Sequence, residues 1–327
     1  MADTHQLKPS AAAGKEIVEQ DLEIAPPRLD EFEILEVMAD FGGITSSMAV
    51  RPGVSGYRKR VLLKCANEPL SAAPDVNQRI VEEARIGMRV GHPNLVQVLD
   101  LGRDSQRLFL LREWVVGVGM RPLLARTWDS RRSLPPAASI RVGVSVARAL
   151  SYLHSLRADV WAQHGISHRV VAPSNIIVSA AGEVRLTNLS RAELNARFDS
   201  GARQVDEGYP AFAAPEVIKG ARPSPAADVF GLGALMYEAL GGADSFLGSP
   251  VSDWTRTRRS LDLQADIASS DLPRTLRRLL AAATSNTPED RPAAAEIKGE
   301  LRTWMFDELD TDGEDELRQA VANVGAM

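Results

Sequence analysis

The stretch that decides the fold is GISHRVVAPSNIIVSAAGEVRLTNLS, residues 165–190. It begins with a polar loop that contains His168, Arg169 and Asn175, and it continues as two short apolar runs on either side of Gly182. Apolar runs that flank a glycine predict a β-hairpin. The stretch therefore places three polar side chains at the entrance of a hairpin, and it contains no aspartate.

The composition sets limits on the rest of the chain. Its 327 residues are 44% hydrophobic, which is enough for one large lobe or two smaller ones. The net charge of −5 argues against nucleic-acid binding, which needs clustered positive charge. A single cysteine, Cys65, excludes an intramolecular disulfide. Because the sequence has no long apolar run and no secretion signal, we expect a cytoplasmic protein without a membrane span.

The residues before the hairpin predict a small sheet with one helix. Apolar runs that predict strands occupy residues 32–50 (with a glycine bend inside), 57–67, 94–102 and 107–117. Segment 75–91 has Val81, Ala84 and Met88 at helical spacing. Asp75 is the predicted N-cap of that helix.

After Gly117 the pattern is helical. One side of segment 139–156 is apolar, which predicts a helix that buries that side. The residues on it are Ile140, Val144, Ala147, Leu150 and Leu153. Segment 224–242 is apolar nearly throughout and is expected to form a central helix, and two more helices are predicted at 271–285 and 291–305.

In this order, the segments and their motifs resemble the protein kinase fold, in particular bacterial Ser/Thr kinases of the eukaryotic type. The resemblance extends from about Phe32 to Trp304. The matching motifs are VLLK (61–64) for the β3 lysine strand V-A-I-K, HRVVAPSN (168–175) for the catalytic loop H-R-D-x-x-x-x-N, NLS (188–190) for D-F-G and AAPE (213–216) for A-P-E. Asp228 and Arg291 match the aspartate of the family's central helix and its late arginine.

The resemblance implies an α+β, two-lobed fold. It has a small antiparallel β-sheet N-lobe with one main helix and a larger, mainly helical C-lobe. The implied division of the chain is a disordered N-terminal tail (1–30), a kinase-like domain (31–304, with the N-lobe at 31–116 and the C-lobe at 117–304) and an acidic C-terminal tail (305–327).

Protein kinases use ATP with Mg²⁺, and the resemblance assigns the remnants of the ATP site to Lys64, Glu83 and Asn175. Lys64 and Glu83 are expected to form an ion pair between the sheet and the helix. The acids that carry the chemistry are missing, because Val170 replaces the catalytic aspartate and Asn188 replaces the D-F-G aspartate. Valine accepts no proton. Two neutral amides make a poor site for Mg²⁺, which prefers at least one carboxylate.

The nucleotide pocket departs from the family as well. The Gly-rich loop aligns with ADFGGI (39–44), where all three family glycines are replaced unless the register shifts by one or two residues. Close approach of a backbone to phosphate needs glycine. Leu62 replaces the small alanine of V-A-I-K, and Arg112 is the gatekeeper that precedes the hinge. These two side chains are expected to crowd the adenine slot.

The resemblance and its gaps together predict a pseudokinase, with no catalytic residue, no metal and no cofactor. It would serve as a scaffold or allosteric regulator in bacterial phosphosignalling. Two alternatives stay open. One is a residual or atypical Ser/Thr protein kinase, or another phosphotransferase that binds ATP and Mg²⁺. The other is a module that senses a nucleotide or another small ligand without turnover.

A protein without turnover acts through its surfaces, so we expect a protein partner, such as an active kinase. The expected contact residues on the N-lobe helix are Arg79, Glu82 and Arg89. Segment 190–209 contains serines that another kinase could phosphorylate, and such a phosphate would pair with Arg169 or Arg203.

Overall fold

Two lobes form the protein in a computed structural model that describes residues 27–104, 106–129, 134–156, 166–189, 212–241 and 263–325. The small lobe is an antiparallel sheet in the order β1-β2-β3-β5-β4. Its strands are β1 (Glu33–Phe41), β2 (Ile44–Pro52), β3 (Arg58–Ala66), β4 (Val98–Asp104) and β5 (Arg107–Glu113). The predicted tail 1–30 lies mostly outside the described residues.

One helix, α1 (Pro74–Gly87), packs against this sheet. Its buried face contains Ile80 and Ala84, which belong to the same apolar cluster as β4 and β5 residues. The helix predicted at 75–91 is present, but two of the three residues noted at helical spacing lie off its buried face, since Val81 is 40% and Met88 48% exposed. The reason is that α1 turns Glu83 inward, which rotates Val81 and Met88 toward solvent.

The start of α1 also differs from the prediction. Its N-cap is Ala73, and Pro74 occupies the first turn. Proline fits there because its missing N–H has no partner within the helix. Asp75, the predicted N-cap, lies inside the first turn, where its negative charge interacts favourably with the helix dipole.

The large lobe is mainly helical and carries a second sheet. The helices are α2 (Met120–Asp129), α3 (Pro136–Ser155), α4 (Pro215–Ile218), α5 (Pro225–Ala239), α6 (Leu263–Ser269), α7 (Arg274–Ala283), α8 (Ala294–Leu309) and α9 (Glu314–Gly325). The sheet is β6 (Gly117–Gly119), β7 (Ile176–Ser179) and β8 (Val184–Leu186). The predicted α3 stripe is buried, and α5 is buried along nearly all of its length, which confirms the central helix.

The C-terminal residues pack onto this lobe. The boundary expected at Trp304 falls inside α8, which continues to Leu309. In α9, Leu317 and Val321 are one helical turn apart and buried, so this helix covers apolar surface of the lobe. Among the described residues, no helix combines the length and the apolar content needed to cross a membrane.

Candidate functional site

The cleft between the lobes contains a buried ion pair that joins β3 to α1. Lys64 Nζ lies 2.8 Å from Glu83 Oε2 and 3.1 Å from Glu83 Oε1. Both side chains are at most 10% exposed. The ion pair expected between the sheet and the helix is therefore present, and it holds α1 against the sheet. That Lys64, Glu83 and Asn175 are remnants of an ATP site stays a prediction.

A second cation lies in the same cleft. Arg112, on β5, is 2% exposed. Its Nη1 atom donates a hydrogen bond to Asn188 Oδ1 at 2.8 Å and lies 3.4 Å from Glu83 Oε1. Burial lowers the pKa of the Arg112 guanidinium, and the charge of Glu83 opposes that shift. Glu83 thus serves two buried cations, one from each of two neighbouring strands.

The two amides at the metal-ligand positions are bonded to each other. Asn188 Nδ2 donates to Asn175 Oδ1 at 2.7 Å, and Asn175 Nδ2 donates to the Val170 carbonyl at 2.9 Å. Both amide oxygens therefore already accept a hydrogen bond, Asn188 from Arg112 and Asn175 from Asn188. Asn188 has φ 61°, in the left-handed region that asparagine tolerates better than most residues.

These residues do not fit a magnesium site. Mg²⁺ needs oxygen ligands in near-octahedral geometry and is usually held by at least one carboxylate. Here each of the two candidate oxygens already accepts one hydrogen bond, neither is a carboxylate oxygen, and a guanidinium carries a positive charge beside them. Among the described residues there is also no cluster of three or more acidic, histidine or cysteine side chains that could hold a metal.

Val170 occupies the catalytic-loop position as a core residue. It is 1% exposed and belongs to the large apolar cluster of the C-lobe, together with Val171 and Ala172. The loop at this point thus presents apolar side chains to the protein interior and offers no group that accepts a proton.

The backbone of this loop is fixed by Asp228 on α5. Its carboxylate accepts from the backbone N–H groups of His168 and Arg169, both at 2.7 Å, and lies 2.9 Å from His154 Nε2. His168 Nε2 donates to the Thr187 carbonyl at 3.0 Å. Burial lowers the pKa of His168, which favours a neutral imidazole in a structural role.

A buried arginine fixes the other end of the site region. Arg291 donates through Nη1 and Nη2 to the two oxygens of Glu216, at 2.7 and 2.8 Å. Its Nε donates to the Ser285 carbonyl at 2.8 Å. This fork-to-fork pair ties α4 to the helices that follow it. Asp228 and Arg291 thus hold the backbone segments around the site in place.

The turn between β1 and β2 is a tight hairpin. Phe41 pairs with Ile44, so only Gly42 and Gly43 form the turn, with φ 60° and 79°. Positive φ at both positions is typical of a type I′ turn, which glycine adopts readily. Arg79 Nη2 on α1 donates to the Gly42 carbonyl at 2.7 Å. The turn is therefore anchored to α1.

Two of the three residues expected to contact a partner on α1 also make contacts within the chain. Arg79 bonds to Gly42, and Glu82 lies 3.5 Å from Arg169 Nη1 in the catalytic-type loop. Reversing either charge would therefore also disturb a contact within the protein, and the partner surface on α1 stays a prediction. Segment 190–209, with its serines and Arg203, lies outside the described residues.

Sequence reasoning identified the missing acids and the gatekeeper arginine, but it missed the contacts of the Arg112 side chain, whose guanidinium reaches Asn188 and Glu83. That Arg112 crowds the adenine slot stays a prediction. The sequence offered one signal for these contacts, which is a cation at the gatekeeper position together with a neutral residue at the D-F-G position. A buried cation needs hydrogen-bond acceptors beside it, and that neutral residue can supply one.

In the cleft, a lysine on a strand pairs with a glutamate on a helix. Below this pair, an aspartate of the central helix fixes the backbone of the loop. Together these features define a kinase-type cleft between two lobes. The chain belongs to the protein kinase family, whose protein kinase domain matches residues 46–301.

Similar proteins include several bacterial kinases. The tyrosine-protein kinase MasK of Myxococcus xanthus is 26% identical over 86% of this chain and 44% of its own length. The serine/threonine-protein kinases PknL and PknK of Mycobacterium tuberculosis are 31% and 32% identical, each over 69% of this chain. The match covers 54% of PknL and 20% of PknK, so the chain spans about half or less of these relatives.

Proposed function

We propose that this protein is a non-catalytic member of the protein kinase family, a pseudokinase. It acts in the bacterial cytoplasm as a scaffold or allosteric regulator of phosphosignalling, through a protein partner. The observation that carries the proposal is the Arg112 guanidinium, which donates to Asn188 at 2.8 Å. A cation of the protein thus lies beside the residue that replaces the metal-binding aspartate of active kinases.

This arrangement opposes metal binding in two ways. A Mg²⁺ ion at Asn188 would have to displace Arg112, and the displaced guanidinium would repel the ion at short range. Displacement would also remove one of the two cations that neutralise Glu83. Phosphoryl transfer depends on charge neutralisation by metal ions, and Val170 supplies no base for the substrate hydroxyl.

We expect millimolar Mg²⁺·ATP to leave the melting temperature of the protein unchanged, with no incorporation of radiolabelled phosphate. A nucleotide at one hundred times its Kd would instead stabilise the folded state by about 2.7 kcal/mol. A thermal-shift titration with ATP, with and without Mg²⁺ or Mn²⁺, measures the first quantity, and an autophosphorylation assay measures the second.

The double change Arg112→Met with Asn188→Asp tests the cause. It removes the cation and supplies a carboxylate next to Asn175, so we expect a Mg²⁺·ATP-dependent rise in melting temperature. The matched control is Arg107→Met with Asn188→Asp, because Arg107 lies on the same strand but pairs with Asp104. If Mg²⁺·ATP raises the melting temperature of neither double variant, Arg112 is not what prevents nucleotide binding in the cleft.

Residual kinase activity is the second candidate, and the intact Lys64–Glu83 pair favours it. The relatives named above are also described as kinases. A melting-temperature rise and radiolabel incorporation in the unmodified protein, both lost in Lys64→Ala, would replace our proposal with this one. A rise without incorporation would favour a nucleotide sensor.

A further inference from the structure

The end of the β2–β3 hairpin projects from the small lobe. β1 pairs with β2 only up to Val50, and β5 pairs with β3 only from Val61. Beyond these two residues, the last two residue pairs of the hairpin continue without a neighbouring strand on either side. All residues of the segment 51–60 are exposed. We call this segment the hairpin tip.

The turn of the hairpin tip is compact and convex. The Gly53 N–H donates to the Tyr57 carbonyl at 2.6 Å, and the Tyr57 N–H donates to the Val54 carbonyl at 3.2 Å. Ser55 and Gly56 have φ 57° and 78°, which closes the turn. A Cβ atom on Gly56 would meet no atom within 4 Å, so the turn faces open space. Such a protruding surface cannot enclose a ligand.

The hairpin tip is positively charged. Residues 41–67 contain no acidic side chain. The cations of the tip are Arg51, Arg58, Lys59 and Arg60. Glu31 lies 2.7 Å from Arg51, and Glu33 pairs with another of these arginines, Arg58. Asp30, the third acid before β1, is paired with Arg28. Lys59 and Arg60 form no ion pair with a residue in the described ranges, so two positive charges stay uncompensated.

Two large apolar side chains stand among these cations. Val54 is 88% and Tyr57 66% exposed. In the part of the chain that the structure describes, Val54 is the most exposed of the large hydrophobic residues. Exposing apolar surface to water is unfavourable, and the hydrogen bonds of the turn hold Val54 away from the protein core. The tip therefore presents an apolar end with cations directly behind it.

We infer that the hairpin tip docks this protein on a membrane surface that contains anionic lipids. Val54 and Tyr57 enter the boundary between headgroups and acyl chains, and Lys59 and Arg60 lie at the level of the lipid phosphates. Tyrosine suits this boundary because its ring is apolar and its hydroxyl is polar. A flat surface accommodates a convex tip, whereas a peptide would need a groove to cover both apolar side chains.

This inference goes beyond the proposed function and does not depend on it, since no residue of the hairpin tip takes part in the cleft contacts described above. Two uncompensated cations and two apolar side chains give weak and reversible membrane binding. The test therefore uses millimolar lipid. Because vesicle binding needs no nucleotide, its absence would leave the non-catalytic cleft untouched, and ATP binding would leave membrane docking untouched.

Vesicle sedimentation with the purified chain is the first test. Phosphatidylcholine vesicles in which about one third of the lipid is phosphatidylglycerol should carry the protein into the pellet. Vesicles of phosphatidylcholine alone should bind it at least about tenfold less. Raising the salt from about 0.1 M to about 0.5 M should release it, because salt screens attraction between exposed charges. No binding to the anionic vesicles, or equal binding to both kinds, would overturn the inference.

Charge reversal locates the contact surface. Lys59→Glu with Arg60→Glu should lower the partition coefficient on anionic vesicles by about tenfold or more, as about 1.4 kcal/mol corresponds to tenfold. The matched control is Arg274→Glu with Arg302→Glu, which makes the same change in net charge at two exposed arginines of the large lobe. A loss of binding that is equal in the two double variants would show that only the total charge matters, which contradicts docking through the tip.

Removal of the apolar side chains tests insertion. Val54→Ser with Tyr57→Ser leaves the charge unchanged and should also lower the partition coefficient by about tenfold. Phe306→Ser is the control, because Phe306 is 77% exposed on the large lobe. Binding that survives the loss of both apolar side chains would refute insertion of the tip. All substituted positions are exposed, so the variants are expected to fold, and a thermal melt of each variant checks this.

Other polyanions are the remaining outcome. Poly-glutamate or an RNA oligonucleotide, measured by fluorescence anisotropy, should bind at least about tenfold more weakly than the anionic vesicles. If either polymer binds with the same dependence on Lys59 and Arg60, while the vesicles do not bind, the tip recognises that polymer and the membrane inference is wrong.

Discussion

Glu83→Leu is expected to destabilise the protein by roughly 3–5 kcal/mol, the usual cost of removing one member of a buried ion pair. The change leaves Lys64 and Arg112 buried without the carboxylate that both approach. Lys64→Met should cost less, because Glu83 would keep Arg112 as a neighbouring cation. Urea unfolding of the two variants, followed by circular dichroism, measures this difference.

Combined variants sharpen this prediction. Lys64→Met with Glu83→Leu should recover only part of the loss, because Arg112 stays without its acid. Adding Arg112→Met should recover more. Glu82→Leu is the control, since that helix glutamate belongs to a partly exposed pair with Arg169 and should change stability by less than about 1 kcal/mol. Equal losses in Glu83→Leu and Lys64→Met would refute a carboxylate shared between two cations.

The second large effect concerns Glu238 on α5. This side chain is buried, and neither carboxylate oxygen has a hydrogen-bond partner among the described residues. Burial raises its pKa to about 8, although the charge of Arg121 opposes the shift. The folded state therefore keeps a proton on Glu238 at pH values where the unfolded chain has released it.

Because the folded-state pKa lies above the unfolded value of 4.5, the stabilising contribution is fully present below about pH 4.5 and is lost as the pH rises to about 8. Glu238→Gln removes this dependence. It should match the parent protein near pH 4.5 and exceed it by roughly 3 kcal/mol at pH 7, at 1.36 kcal/mol per pKa unit.

Unfolding free energies across pH 4.5–8 measure this effect. Glu68→Gln, at an exposed glutamate on the small lobe, should follow the parent curve throughout. If Glu238→Gln also follows that curve, Glu238 ionises in the folded protein as it does in the unfolded chain, and the expected effect is absent.

Much of the fold could be predicted from the sequence because its signals are local. The apolar stripe of α3 predicted the buried face of that helix, and the glycine at position 182 predicted the turn between β7 and β8. Both depend on a short window of residues. The rotation of α1 could not be predicted in this way, because a buried carboxylate, Glu83, competes with apolar residues for the inward face.

The candidate site, too, could be predicted from the sequence only in part. Val170 and Asn188 could be recognised as replacements from their places in the motif, because the identity of a residue decides whether it can accept a proton or hold Mg²⁺. The contacts of Arg79 and Glu82 could not be predicted from the sequence, since each contact joins segments that are far apart in the chain.

By itself, the sequence determined which chemical groups the cleft contains, and it determined the order of the helices and strands, since composition and periodicity are properties of the chain. Only the tertiary structure decided where the Arg112 guanidinium goes. A long, flexible side chain has many rotamers, and burial beside Glu83 and Asn188 selects the one in which the charge is compensated. A cavity of about 640 Å³ on the large lobe likewise exists only after folding, because α3, α8 and the β7–β8 hairpin line it from distant parts of the chain.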